Sequence, residues 1–175
     1  MIYHHFQVRQ ETLRLTDNND IRVYTDGKEK FRALIEEMKQ AKRYIHMQYY
    51  IIRNDELWQE VEKVLIQKAR EGVEVRVLFD SMGCRTMKNR DWERLEKEGI
   101  QVAEFFPALL GQLQLRVNYR NHRKIVVIDG RVGFVGGFNV GREYLGRDKK
   151  FGYWRDTHLC IEGAAVIMRR KKTCF

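Results

Sequence analysis

The chain has 175 residues, a formal net charge of +9 at pH 7 and a hydrophobic content of 43%, which is ordinary for a globular protein. This length allows a single domain whose core is large enough to fold without disulfide or metal staples. The three cysteines are odd in number and widely spaced, which argues against a disulfide framework or a zinc site and favours reduced thiols. The positive charge favours an anionic partner, either a nucleic acid or a phospholipid surface, although charge alone fits a plain solvated surface equally well.

The first half of the chain alternates between helical and strand patterns. Asp26 and Glu29 predict a capping box, and Asn54 or Asp55 predicts the start of a second helix, which Gly72 ends. The predicted elements are a helix from residue 26, a strand at 43–52, the second helix, a strand at 73–79, a helix at 89–98 and a strand at 100–106. This order predicts an α/β sandwich with a mixed, largely parallel β-sheet flanked by helices.

The second half begins with a polar loop at residues 108–121 and continues with a short aliphatic strand. Asp129-Gly130 predicts a two-residue hairpin turn that joins residues 122–128 to residues 131–135. A further strand is predicted at 157–161, followed by the start of a helix at 163–170. No segment approaches the roughly 20 apolar residues of a membrane span, and the N-terminus lacks a signal-peptide core.

The most informative residues are His122 and Lys124, which stand two apart before an aliphatic run. Side chains two apart on a strand point to the same face, so these two are expected to project together. Imidazole attacks phosphorus or shuttles a proton, and an ammonium group neutralises phosphate oxygens, so the pair suits a reaction at a phosphodiester. Asp129 lies an odd number of residues from His122, and we expect it to face away and to orient backbone or a partner side chain at the hairpin.

A small-residue turn follows the hairpin and ends in a polar amide. Gly136 and Gly137 are expected to let backbone come near a phosphate. Asn139 is expected to donate a hydrogen bond to a phosphate oxygen or to fix the lysine.

Four other residues on the predicted strands carry polar or aromatic groups. His46 and His158 are expected to be packed or hydrogen-bonded rather than catalytic, with His158 the stronger site candidate because ionisable residues precede it. For Tyr49 and Tyr50, a plain strand role is favoured over a place in a substrate groove.

The HxKxxxxD spacing from His122 to Asp129 and the GGxN turn from Gly136 to Asn139 resemble the signature of the phospholipase D superfamily. Flanking segments narrow the resemblance to bacterial cardiolipin synthases, namely AKRYIHMQYY (41–50), HRKIVVIDGRVGFVGGFNVG (122–141), EYLG (143–146) and YWRDTH (153–158). The resemblance implies a phospholipase D-like sandwich. It divides the chain into an N-terminal segment (1–19), the first half of a phospholipase D-like phosphodiesterase domain (20–166) and an atypical basic tail (167–175).

The same resemblance implies the roles of the site residues. In the superfamily, a phosphodiester is cleaved through a covalent phosphohistidine, which makes His122 the nucleophile, Lys124 the cation for the non-bridging oxygens and Asp129 a third active-site residue. Gly136, Gly137 and Asn139 are the implied substrate-binding residues. The implied reaction converts two phosphatidylglycerol molecules to cardiolipin plus glycerol, with no metal and no organic cofactor.

The 175 residues contain one HxKxxxxD motif, whereas an active site of the superfamily uses two, one for the nucleophile and one for the general acid. General acid catalysis contributes about 10²–10⁴-fold, so a lone half should be slow. We expect the second motif to come from a missing second half or from a two-fold homodimer partner. Two alternatives stay open: a homodimeric phosphodiesterase or nuclease of the same superfamily, and an inactive fragment.

Basic residues cluster in two places that suit an anionic phospholipid surface, where each Lys or Arg contributes about 1 kcal/mol. The clusters are Arg116, Arg120, Arg123 and Lys124, and the run 169–172. We expect phosphatidylglycerol and a membrane surface as partners rather than nucleic acid. The expected location is the cytoplasmic face of the cell membrane, peripherally or as part of a longer membrane-anchored enzyme.

Overall fold

A computed structural model describes residues 18–105, 120–146 and 148–166 of the chain. The strands are β1 (Asn19–Asp26), β2 (Tyr44–Tyr49), β3 (Glu74–Asp80), β4 (Gln101–Phe105), β5 (Ile125–Ile128), β6 (Val132–Gly136) and β7 (Arg155–Gly163). The helices are α1 (Gly27–Lys39), α2 (Glu56–Arg70) and α3 (Asn89–Lys97), with a 3-10 helix at Arg142–Leu145. Residues outside the described ranges include 108–119 of the predicted 108–121 loop, with Arg116 among them, and the tail 167–175, with the cluster 169–172.

The seven described strands form one mixed sheet in the order β1-β7-β6-β5-β2-β3-β4. The α/β class is confirmed, but the expectation of a largely parallel sheet is wrong. The pairs β2–β3 and β3–β4 are parallel, whereas β1–β7, β7–β6, β6–β5 and β5–β2 are antiparallel. The helical crossovers made the first half parallel as predicted, and the hairpin then reverses the chain beside β2.

The hairpin after β5 has the backbone that its sequence requires. Asp129 and Gly130 have φ values of 56° and 68°, and the carbonyl of Ile128 accepts a hydrogen bond from the amide of Arg131 at 2.9 Å. The predicted hairpin is therefore confirmed, with three residues rather than two between the paired Ile128 and Val132. Strand β5 begins at Ile125, so His122 and Lys124 precede it.

The Asp26 half of the predicted capping box is present, and so is the predicted cap of the second helix. The Asp26 carboxylate accepts hydrogen bonds from the amides of Lys28 and Glu29 at the start of α1. Asp55, rather than Asn54, caps α2 in the same way. Strand β1 and the 3-10 helix were not predicted. Among the residues described, no helix is both long and apolar enough to cross a membrane.

Alternate residues of β5 lie on opposite faces of the sheet. Val126 and Ile128 belong to the main core beneath the helices, whereas Ile125 and Val127 belong to a smaller cluster on the other face. Because Ile125 pairs with Gln48 near the end of β2, the residues just before β5 lie beside the residues that follow β2. This pairing brings the HxK segment to the edge of the sheet where β2 and β3 end.

Candidate functional site

His122 is exposed, and its imidazole ring lies against the ring of Tyr50. The two ring centroids are 3.8 Å apart and the planes are inclined by 25°. Tyr50 is the first residue after β2, so the sheet places this aromatic ring beside the segment that leads into β5. The stack fixes one face of the imidazole, while the ring remains open to solvent.

Lys124 is nearly buried and lies on the same tyrosine. Its Nζ donates a hydrogen bond of 2.7 Å to the carbonyl oxygen of His122 and is 5.4 Å from the ring centroid of Tyr50. Burial lowers the pKa of Lys124, and the negative charge of Asp156 opposes that shift. An ammonium group is therefore held against the backbone of the residue that carries the imidazole, where it can neutralise a phosphate oxygen.

Asp156 is a site residue that the sequence interpretation did not single out. Its Oδ1 accepts a hydrogen bond of 2.7 Å from the amide of Thr157, and its charge acts on Lys124. A Cβ atom at Gly137 would overlap the same carboxylate. The only sequence signal was the group of ionisable residues before His158.

The glycine pair lets β6 and β7 approach closely. A Cβ atom at Gly136 would overlap the Cα of His158 and the carbonyl oxygen of Thr157, and one at Gly137 would overlap Asp156. Packing against the backbone of β7 therefore requires Gly136, and Gly137 leaves room for the carboxylate of Asp156.

Asn139 is buried and joins two segments behind the site. Its Nδ2 donates to the hydroxyl of Tyr144 at 2.9 Å, and its Oδ1 accepts from the amide of Ile51 at 3.1 Å. Ile51 follows Tyr50 directly, so this amide helps to place the tyrosine that carries His122. The expected bond to Lys124 is replaced by the bond to Tyr144.

Asp129 lies at the opposite end of β5 from His122. Its carboxylate accepts three backbone hydrogen bonds, from Lys42 at 2.9 Å, Arg43 at 2.8 Å and Tyr44 at 2.9 Å. Burial alone would raise the pKa of Asp129, but these amides and the charge of Arg131 outweigh it, so the pKa lies below its ordinary value. Asp129 orients backbone, as its odd spacing from His122 indicated.

A second histidine, His158 of β7, is buried in the protein interior. His158 is fully buried, neither ring nitrogen has a hydrogen-bond partner among the described residues, and its pKa is lowered to about 2. The causes are burial and the positive charges of Lys30 and Lys124. Lys30 is itself fully buried, where burial lowers its pKa and its Nζ donates to the hydroxyl of Tyr49 at 2.7 Å.

The other strand histidine, His46, has a separate environment. Its Nε2 is 2.6 Å from the carboxylate of Glu74, and its ring lies 4.6 Å from that of Tyr44. It alternates with the core residues Ile45 and Met47, which places it on the sheet face away from the helices.

A surface cavity of about 400 Å³ opens beside the imidazole. It is lined by Phe105, Arg120, Asn121, His122 and Arg123. The cavity offers the histidine and basic side chains to a ligand from solvent. The site thus combines an accessible imidazole, a nearly buried ammonium group and a cavity lined by the basic side chains of Arg120 and Arg123.

The family described as "Cardiolipin synthase, PLD-like domain" matches residues 34–154, which include the whole HxKxxxxD motif and the GGxN turn. The chain belongs to this phospholipase D (PLD)-like family. Its relatives include the major cardiolipin synthase ClsA of Bacillus subtilis, 53% identical over 151 residues, and a cardiolipin synthase of Staphylococcus aureus, 55% identical over 152 residues. The matches cover 86% and 87% of this chain, but the chain spans only 31% of either relative.

The solved structures share the PLD-like fold at low sequence identity. NucT from Helicobacter pylori superposes with a TM-score of 0.65 at 16% identity, over 89% of this chain and 92% of that chain. The similarity confirms the predicted PLD-like sandwich.

Proposed function

We propose that this PLD-like chain is the nucleophile-bearing half of a phosphatidyltransferase of cardiolipin synthesis. The observation that carries the proposal is the accessible imidazole of His122, stacked on Tyr50 and adjacent to the ammonium group of Lys124. Relatives with more than half of their aligned residues identical are named cardiolipin synthases, which supports the choice of reaction.

His122 is the proposed nucleophile. A ring nitrogen of the neutral imidazole attacks the phosphorus of phosphatidylglycerol, an N–P bond forms, and the P–O bond to the headgroup glycerol breaks. Glycerol leaves with a proton from a general acid. The headgroup hydroxyl of a second phosphatidylglycerol then attacks the same phosphorus and passes its proton to the general acid, which lost one to glycerol. The N–P bond breaks, which gives cardiolipin and frees the imidazole.

Lys124 holds the non-bridging phosphate oxygens in this proposal. An ammonium group in a nearly water-free position interacts more strongly with developing negative charge than one in solution. Burial disfavours its protonated form, and the nearby carboxylate of Asp156 favours it. The anionic substrate favours the protonated form further.

The remaining predicted site residues act around the reacting groups. Asp129 orients the backbone at the far end of β5, and Asn139 supports the segment that carries Tyr50. Gly136 and Gly137 bring β7, and with it Asp156, next to Lys124. No metal or organic cofactor enters the proposed reaction.

The sequence contains a single HxKxxxxD motif, which supplies the nucleophile. The general acid therefore comes from a second motif. A second motif-bearing half or a two-fold homodimer partner supplies it. The proposed substrate is phosphatidylglycerol in an anionic membrane at the cytoplasmic face of the cell membrane. The exposed Arg123 meets the headgroups there.

One experiment tests the chemistry directly. The purified chain is incubated with phosphatidylglycerol vesicles, cardiolipin and glycerol are measured, and a phosphatidyl adduct on His122 is sought by mass spectrometry at neutral pH. The wild type should form the adduct, and His122→Asn should not. Equal lipid turnover by both would refute the proposal.

A chimera tests the same idea with a second motif present. In it, this chain replaces the matching segment of Bacillus subtilis ClsA. The chimera should make cardiolipin, and its His122→Asn variant should make none. A chimera that folds but is inactive with His122 intact would contradict the assignment.

The net charge of +9 and the single motif per chain favour one other candidate, a homodimeric phosphodiesterase or nuclease. Single-stranded and duplex DNA incubated with the chain without divalent metal would then be cut, while phosphatidylglycerol would persist. An inactive fragment would do neither and would form no adduct.

A further inference from the structure

Asp80 is a fully buried carboxylate at the end of β3. Removing a charged group from water is costly unless hydrogen bonds or an opposite charge compensate, so the partners of this carboxylate indicate what it does. None of the sequence motifs includes it.

The carboxylate of Asp80 binds the segment that leads into the HxK motif. Its Oδ2 accepts a hydrogen bond of 3.2 Å from the amide of Asn121, and Nη1 of Arg120 lies 3.6 Å from Oδ1. The same Oδ1 accepts from the amide of Met82 at 2.9 Å. Residues 120–123 precede β5 and lie in none of the described strands, while the carbonyl of Lys124 accepts a hydrogen bond of 3.3 Å from the amide of Gly136. Contacts such as those of Asp80 therefore help to set the position of His122.

The turn after Asp80 also contacts the residue on which His122 is stacked. A Cβ atom at Gly83 would overlap the carbonyl oxygen of Tyr50, and the thiol of Cys84 lies 3.7 Å from the same oxygen. One end of β3 therefore contacts both the backbone before His122 and the backbone of Tyr50. We propose that Asp80 is a positioning residue that holds His122 on Tyr50, an inference that rests on the proposed role of His122 as nucleophile.

Asp80→Asn is the direct test, because an amide has one oxygen where the carboxylate has two. One of the two backbone bonds and the charge opposite Arg120 are then lost. The stacked Tyr50 ring shifts the His122 ring-proton resonance upfield in the NMR spectrum of the full chain. The variant should lose most of that upfield shift, and in an active protein kcat should fall on the order of 100-fold with KM unchanged.

Asp91→Asn is the matched control, since Asp91 is another buried carboxylate that accepts a backbone hydrogen bond, from Lys88 at 2.9 Å, away from the motif. It should leave the His122 resonance in place. Should Asp80→Asn fail to fold, Arg120→Met removes the ion pair with Asp80 and should move the same resonance in the same direction. A His122 resonance unchanged in the folded Asp80 and Arg120 variants overturns the inference. A folded chimera that makes no cardiolipin with His122 intact refutes the proposed function instead, and the resonance still decides the role of Asp80.

Discussion

The imidazole ring of His122 and the phenol ring of Tyr50 stack with their centroids 3.8 Å apart. Tyr50 follows β2 and His122 precedes β5. The two residues meet because β2 and β5 are paired antiparallel. The same phenol ring lies 5.4 Å from Nζ of Lys124. Tyr50 is thus the surface on which the two motif side chains are brought together.

Tyr50→Leu should reduce turnover of phosphatidylglycerol, whereas Tyr50→Phe should retain most of it. An aromatic pair contributes about 0.5–1.5 kcal/mol beyond its buried area, so losing the stack costs up to roughly tenfold in rate. Phenylalanine keeps the ring, and leucine does not. Adduct formation by the chain or cardiolipin synthesis by the chimera measures the effect. Equal rates for the two variants would show that the stack has no part in catalysis.

Lys124→Met should lower the rate of adduct formation on His122 by about 10²–10³-fold, the usual cost of losing one preorganised charge contact. Methionine keeps much of the side-chain volume in this nearly buried position and removes the charge. Lys28→Met, on the exposed side of α1, is the matched control and should act like the wild type. A loss of similar size in both variants would point to general electrostatics rather than to a contact with phosphate.

The sequence could predict the local features of the site but not its long-range partners. His122, Lys124 and the Asp129-Gly130 hairpin lie within one short segment, where spacing and turn preference determine the arrangement. Asp80 lies 41 residues before its partner Asn121, and no residue pattern links the two. Asp80 became visible as a site residue only once the strand order was known. Tyr50, for which a plain strand role was favoured, instead follows β2 and stacks on His122.

The error in sheet direction has the same origin. The β-α-β-α-β pattern correctly implied the parallel neighbours β2, β3 and β4, because helical crossovers join them. Nothing local indicates that the hairpin β5–β6 adds to the free side of β2. Strand β1 was missed for a related reason: Ile21 and Val23 are exposed, so its pairing with β7, rather than burial, defines it.

Gly136→Ala should destabilise the fold by about 1–3 kcal/mol, the usual cost of overpacking. Its new methyl group would overlap the backbone of β7 at Thr157 and His158, which cannot move without breaking the strand pair. Gly133→Ala on the same strand is the control, because its Cβ would lie 3.4 Å from Val166 in tolerable contact. Urea unfolding measures both, and equal stabilities would contradict the predicted clash.

Gly137→Ala should behave differently, because the three atoms nearest to its methyl group would all belong to the side chain of Asp156. Adding Asp156→Ala should restore much of the stability lost by Gly137→Ala. The double variant should nevertheless stay slow in adduct formation, since the carboxylate that favours protonated Lys124 is gone. Restored stability together with full activity would remove Asp156 from the site.

Asp129→Asn should destabilise the chain by about 1.5–3 kcal/mol at neutral pH, the usual contribution of a hydrogen bond to a charged group. Asparagine tolerates the positive φ of this position, so the change isolates the hydrogen bonds. Its single oxygen can replace Oδ1 toward Arg43 and Tyr44, but its amino group faces the amide of Lys42. Asp20→Asn at an exposed site is the control.

The pH dependence of that loss follows from the lowered pKa of Asp129. A carboxylate whose folded-state pKa is lowered stabilises the fold at pH values above its unfolded-state pKa of about 3.9. This stabilisation is lost as the pH falls through the folded-state pKa. The difference in free energy of unfolding between the wild type and Asp129→Asn should therefore become smaller at acidic pH. A difference that persists unchanged at low pH would show that ionisation of Asp129 does not matter.

His158 should make the wild-type fold less stable as the solution becomes mildly acidic. Its folded-state pKa is lowered to about 2, whereas an unfolded histidine has a pKa of about 6.5. The unfolded chain therefore binds a proton below about pH 6.5 that the folded chain does not, and stability falls by up to about 1.4 kcal/mol per pH unit from this group.

His158→Gln, which has no titrating ring, should remove that part of the slope of stability against pH, and His46→Gln on the opposite face should leave it in place. Urea unfolding of the three proteins between about pH 7 and about pH 5 measures the slopes. Equal slopes for the wild type and His158→Gln would mean that the buried ring gains a proton without cost, and so that it is not held neutral between Lys30 and Lys124.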